Sequence, residues 1–113
     1  MRDVSLYLQD ILDAMIAIER FVEGQSFDGF KEDDKTSSAV IRKFEIIGEA
    51  SKQIPEEVRV KYPQIPWKEM AGMRDRLIHF YFGIKYELVW QTIKDVIPVV
   101  KSAIQEMLKE ISK

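Results

Sequence analysis

The chain has 113 residues, 46% hydrophobic and 32% charged, with a formal net charge of −2. That is enough chain for one core and too ordered a composition for a disordered tail. The acidic balance argues against coating nucleic acid through bulk charge, although a local basic patch is compatible with it. With no cysteine and a single histidine, there is no disulfide, no thiolate site and no histidine cluster for a metal. No apolar run is long enough to span a bilayer and no signal-peptide pattern opens the chain, so the cytoplasm is the expected compartment.

Taken in order, Val4, Leu8, Ile11, Met15, Ile18 and Val22 recur every three or four positions. That spacing predicts an amphipathic helix over 3–22. Gly24 stops it, and the glycine and polar content of 24–30 predicts a loop pinned to the core by Phe27 and Phe30. A second helix should start between 33 and 36, where polar side chains can cap it, and run to about 53 with Val40, Phe44, Ile47 and Ile54 as its stripe. Gly48 costs about 1 kcal/mol against alanine inside a helix, which points to a close helix crossing there. Pro55 should open a short helix over 56–61 from its first position. Pro63 and Pro66 make the next stretch a linker, and a further helix is expected over 67–79, ended by Gly83. The last stretch, 86–111, carries Val89, Ile93, Val96, Val100, Ile104, Met107 and Ile111 on one face, with a kink, or a meeting of two helices, expected at Pro98. No repeat and no strand-period alternation is visible. The fold class is therefore all-α: an antiparallel bundle of four main helices and a short one, without β-sheet.

One stretch carries chemistry: Arg74, four residues, His79, one residue, Tyr81. A lone histidine among Leu77, Ile78, Phe80 and Phe82 is most often a packed structural residue, and a lone helical arginine is most often solvated. Together they have a rationale. A guanidinium grips phosphate through a planar fork of donors, and an imidazole moves protons near neutrality. Those two groups suffice for metal-free RNA cleavage: imidazole activating the 2′-hydroxyl or protonating the leaving oxygen, arginine stabilising charge in the transition state. Geometry complicates this. At about 100° per residue, Arg74 and His79 are roughly 140° apart around a regular helix. Either the arginine reaches around, or the helix distorts near Gly83, or two copies of the motif share one site in a dimer.

Arg74-x4-His79-x-Tyr81 resembles the R-x4–6-H motif of HEPN domains, and more narrowly the HepT toxin family, where a tyrosine follows two residues after the histidine. Arg42-Lys43-Phe44-Glu45-Ile46-Ile47-Gly48-Glu49-Ala50 is similar to that family's second-helix signature. Ile65-Pro66-Trp67, followed by 73–79, is similar to its central segment. The resemblance covers essentially the whole chain, 1–113, as a single HEPN domain.

It implies a helical bundle that forms a homodimer with two motifs in one cleft. It also implies a ribonuclease toxin paired with a minimal nucleotidyltransferase antitoxin, which silences the toxin by adenylylating the motif tyrosine. Carried over residue by residue, Arg74 and His79 are catalytic, Tyr81 is the modified residue and Asp75 has an orienting role. No role follows for Arg76, and Arg42 and Glu49 are equally read as cleft-lining or as structural charges. RNA is the implied substrate, with no cofactor, no metal and no membrane. A competing reading is a non-catalytic partner module, an accessory or nucleotide-binding subunit of the transferase. Aromatic residues within 67–90 and the lack of a basic track suit it. A purely structural helical dimer with a packed His79 is the third.

Overall fold

The computed structural model describes residues 2–79 and 83–112, His79 by its backbone alone. Helix α1 (Val4–Phe21) starts at Asp3, whose carboxylate accepts the Ser5 N–H at 2.9 Å. It buries Leu8, Ile11, Met15 and Ile18, four of the six predicted stripe residues, within the helix, and Val22 just beyond it.

The predicted loop over 24–30 needs correction, because Phe27–Glu32 is helix α2. Ser26 caps it by accepting the Gly29 N–H at 3.0 Å. Phe30 is fully buried one turn in and anchors it against α3 and α7. Glycine and polar content hid an N-cap serine followed by two aromatics at helical spacing.

Helix α3 (Asp34–Lys52) lies within the predicted limits. Its cap, Asp33, accepts the Thr36 N–H at 3.1 Å and the Thr36 hydroxyl at 2.7 Å. The hydroxyl bond above all, then the backbone bond, holds that carboxyl below its ordinary value. Helix α4 (Glu56–Arg59) is shorter than expected, and Pro55 is its cap residue rather than its first helical residue. The linker after it is tied down twice. Tyr62 accepts the Trp67 indole N–H at its carbonyl, 3.1 Å, and donates its hydroxyl to Glu110 at 2.5 Å.

The helix expected over 67–79 is broken. Helix α5 (Trp67–Ala71) ends at Gly72, and α6 (Met73–Leu77) starts from the same glycine. Ile78 then turns extended, at φ −124° and ψ 131°. The Leu77 carbonyl, which would carry the helix on, accepts the Lys85 N–H instead at 2.8 Å. Strands β1 (Ile78–His79) and β2 (Gly83–Ile84) pair antiparallel, Ile78 with Ile84 and His79 with Gly83. Gly83 at φ +83° therefore sits in a strand, where its left-handed backbone suits glycine, and does not cap a helix. This pairing is the one departure from an all-α fold among the described residues.

The final rod is α7 (Tyr86–Gln91), a π-helical turn (Thr92–Val96) and α8 (Ile97–Ile111). The expected disturbance at Pro98 takes this form. Proline in the first turn of α8 crowds the carbonyl four residues back, and the widened turn makes room for the ring.

The core lies where α1 packs on α3 and α8, with Leu8, Ile11, Val40, Phe44, Ile47, Ile104 and Met107 all buried. The predicted crossing at Gly48 is present: a Cβ there would lie 3.3 Å from both the Met70 and Ala71 carbonyl oxygens. Glycine lets the backbone of α5 come that close to α3.

Candidate active site

Helix α6 is little more than one turn long, and its ends face inward. Met73 and Leu77, four residues apart, are 4% and 1% exposed. Side chains at that spacing share one helix face, so Arg74, Asp75 and Arg76 stand on the outer arc, all exposed.

Arg74 is on the α3 side of that arc. Its Nε lies 3.1 Å from a carboxylate oxygen of Glu45. With the arginine side chain 62% exposed and the glutamate 32%, such a pair is worth ~0–1 kcal/mol of stability. Its consequence is orientation. The ion pair holds the guanidinium edge at the α3–α6 seam, while its fork retains donors for an anion. Glu45 lies inside the second-helix stretch singled out from the sequence, yet no role followed for it there. The signal was available: if α3 crosses α5 at Gly48, the residue three positions earlier faces the next element, α6.

The seam opens into a hollow of about 180 Å³. Arg42, Glu45, Glu49 and Lys52 line it from α3, and Arg74 and Asp75 line it from α6. Arg42 and Glu49, left open between cleft and scaffold by the sequence, thus border the same space as Arg74. Glu49 also pairs with Lys52 at 3.2 Å, on an exposed edge. Arg76 faces elsewhere, onto a hollow of about 280 Å³ shared with Pro66, Leu88 and Asp95.

His79 is reached by the chain leaving the helix. The roughly 140° separation predicted between Arg74 and His79 assumed a helix continuing through both. It ends at Leu77, so His79 enters on an extended backbone opposite Gly83. The helix does break, earlier in the chain than Gly83. The His79 side chain and the whole of Tyr81 lie outside the described residues. Sequence alone places Tyr81 between the two paired strands.

An all-α bundle, an exposed arginine on a short helix and a histidine just beyond its end define a helical protein with a charged seam between α3 and α6. Residues 11–107 match the family model for ribonuclease HepT-like proteins. The chain belongs to that family. It is 48% identical over 110 residues to the protein named "Putative RNase MJ0127" of Methanocaldococcus jannaschii, covering 97% of this chain and 91% of that one. It is 48% identical over 103 residues to the "Probable ribonuclease HepT" of Thermococcus cleftensis, covering 91% and 94%. No solved structure matches the chain. Among the described residues, no helix is long and apolar enough to cross a membrane.

Proposed function

We propose that this protein is a metal-independent endoribonuclease, the toxin of a cytoplasmic toxin–antitoxin pair, with Arg74 and His79 as its catalytic residues. The observation that carries the reading is the seam. Arg74 is exposed and held by Glu45, and α6 ends at Leu77, so His79 leaves the helical register on the same outer segment. Membership of a ribonuclease-like family supplies the substrate class.

In the reaction, the 2′-oxygen of the RNA attacks the adjacent phosphorus and the bond to the 5′-oxygen breaks. The products are a 2′,3′-cyclic phosphate and a free 5′-hydroxyl. His79 takes the 2′-hydroxyl proton or gives one to the leaving oxygen. Arg74 meets the charge that builds on the non-bridging oxygens. Asp75, beside Arg74 in the hollow, has an orienting role. A homodimer that shares one cleft would supply each histidine with the other chain's arginine.

Silencing follows from Tyr81. A minimal nucleotidyltransferase antitoxin would place the Tyr81 oxygen on the α-phosphorus of ATP and release pyrophosphate. The resulting anionic adenylyl group, two residues from His79, would compete with RNA for the same charges. Mass spectrometry after incubation with the transferase and ATP should show the added adenylyl on Tyr81. Addition elsewhere, or none, sinks that part.

The test of the nuclease itself is cleavage of total RNA in EDTA by wild type and His79→Ala. Cleavage by wild type alone is the expected result, and persistent cleavage by the variant refutes the assignment. One observation favours the second reading, a non-catalytic subunit of the transferase. The Arg74 hollow holds Glu45, Glu49 and Asp75 against Arg42, Lys52 and Arg74, so it has no cation excess. A folded dimer that binds the transferase and cuts nothing would establish that reading.

A further inference from the structure

Of five of the hollows among the described residues, four carry at least as many carboxylates as cations. The exception measures about 500 Å³ and sets Lys31 and Lys85 against Glu87 alone. It also borders the strand pair whose first strand holds His79. Ile84 and Lys85 form one wall, and Ile84 and Gly83 are the backbone partners of Ile78 and His79.

The other walls are aromatic. Phe27 and Tyr86 line this hollow, and Phe27 and Trp90 line a second of about 370 Å³ that shares Phe27, Glu87 and Gln91 with the first. All three rings are half-buried, with part of their surface open. They are also fixed. The fully buried Phe30 meets Tyr86 edge-on at 6.3 Å and Trp90 at 5.3 Å, and Phe27 lies 6.2 Å from Trp90. Rings held this way lose little freedom when a flat ligand stacks on them.

Held aromatic faces interleaved with lysines match single-stranded nucleic acid. Bases stack on the rings without regard to sequence, and phosphates meet the cations. We propose that the Phe27–Lys31–Lys85–Tyr86 hollow, with Trp90 beside it, binds a single-stranded stretch of RNA flanking the cut. This deepens the nuclease reading and rests on it for the substrate class. It also gives an acidic protein a short local RNA track where its overall charge offers none.

The test measures binding without cleavage. In the His79→Ala background, a fluorescein-labelled single-stranded oligoribonucleotide of mixed sequence is titrated by anisotropy at several salt concentrations. Lys31→Glu with Lys85→Glu, the first exposed and the second half-buried, should weaken Kd roughly tenfold or more. The same pair should flatten the slope of log K against log salt by about 1.4, for two lost phosphate contacts. Phe27→Leu, which keeps an apolar contact against Trp90, should weaken Kd by about fivefold with little change in slope. Circular dichroism checks that each variant is folded. If both folded variants keep the parent's Kd within about twofold, the proposal is overturned. The nuclease reading fails separately: a wild type that binds RNA through these residues yet cuts nothing would leave the hollow as an RNA site and remove the cleavage.

Discussion

The α3–α5 crossing and the strand pair behind α6 both place the motif, and they do so by opposite means. At the crossing, Gly48 sits in a helix with backbone carbonyls 3.3 Å from where a Cβ would be, and buried side chains surround it. At the strand pair, Gly83 has nothing within 4 Å of that position and is required for its left-handed φ of +83°. One glycine is there for space and the other for conformation. The first region holds Arg74 through packing, by fixing where α5 and α6 lie on α3. The second holds His79 through a few backbone hydrogen bonds near the surface. The two motif residues, five apart in the chain, are therefore supported by a stiff scaffold at one end and a light one at the other, and the two ends should fail differently.

The largest effect should come from filling the crossing. Gly48→Val forces a branched side chain against two carbonyls and should destabilise by about 1–3 kcal/mol, read as a lower midpoint in urea with unchanged slope. Gly48→Ala is the control. Its gain in helix propensity, about 1 kcal/mol, offsets the tight contact, so it should stay near wild type. Equal stability of the two variants would mean that the crossing has room to spare.

A smaller and differently distributed effect is expected at the strand pair. Gly83→Ala strains the backbone by about 1 kcal/mol. Because the segment is held lightly, the strain should appear in function first, as about a fivefold fall in the RNA cleavage rate. The thermal midpoint should barely move. A clear drop in the midpoint with full activity would reverse the contrast drawn between the two regions.

The smallest effect lies at the start of α3. Asp33 has its carboxyl held below the ordinary 3.8 by its bonds to Thr36, so the charged form favours the folded state. That contribution is present above the ordinary value and is lost as the pH falls through the lower, folded one. The difference in thermal midpoint between wild type and Asp33→Ala should be constant near neutrality and should shrink below about pH 3.8. A difference independent of acid would show that the cap does not act through its charge.

How much was legible in advance follows the same division. The apolar periods of α1 and α3 located both helices to within a residue or two. Gly48 announced its crossing, since a glycine inside a strong helical pattern needs a reason. The arginine and histidine stood out by residue type and spacing. Helix α2 was missed because its cap and two aromatics sit among glycines. The split at Gly72 and the exit at Leu77 were missed because local pattern favours one continuous helix through 67–79.

The sequence by itself determined the helical class, the core stripes of the long helices and the residues able to do chemistry, because burial periodicity and side-chain chemistry are local properties. Only the tertiary structure decided where α6 ends, which carboxylate faces Arg74 and which lysines share a hollow with the aromatic rings. Each of those depends on partners distant in the chain: Lys85 taking the Leu77 carbonyl, Glu45 arriving on α3, and α2 laying Phe27 and Lys31 beside Tyr86.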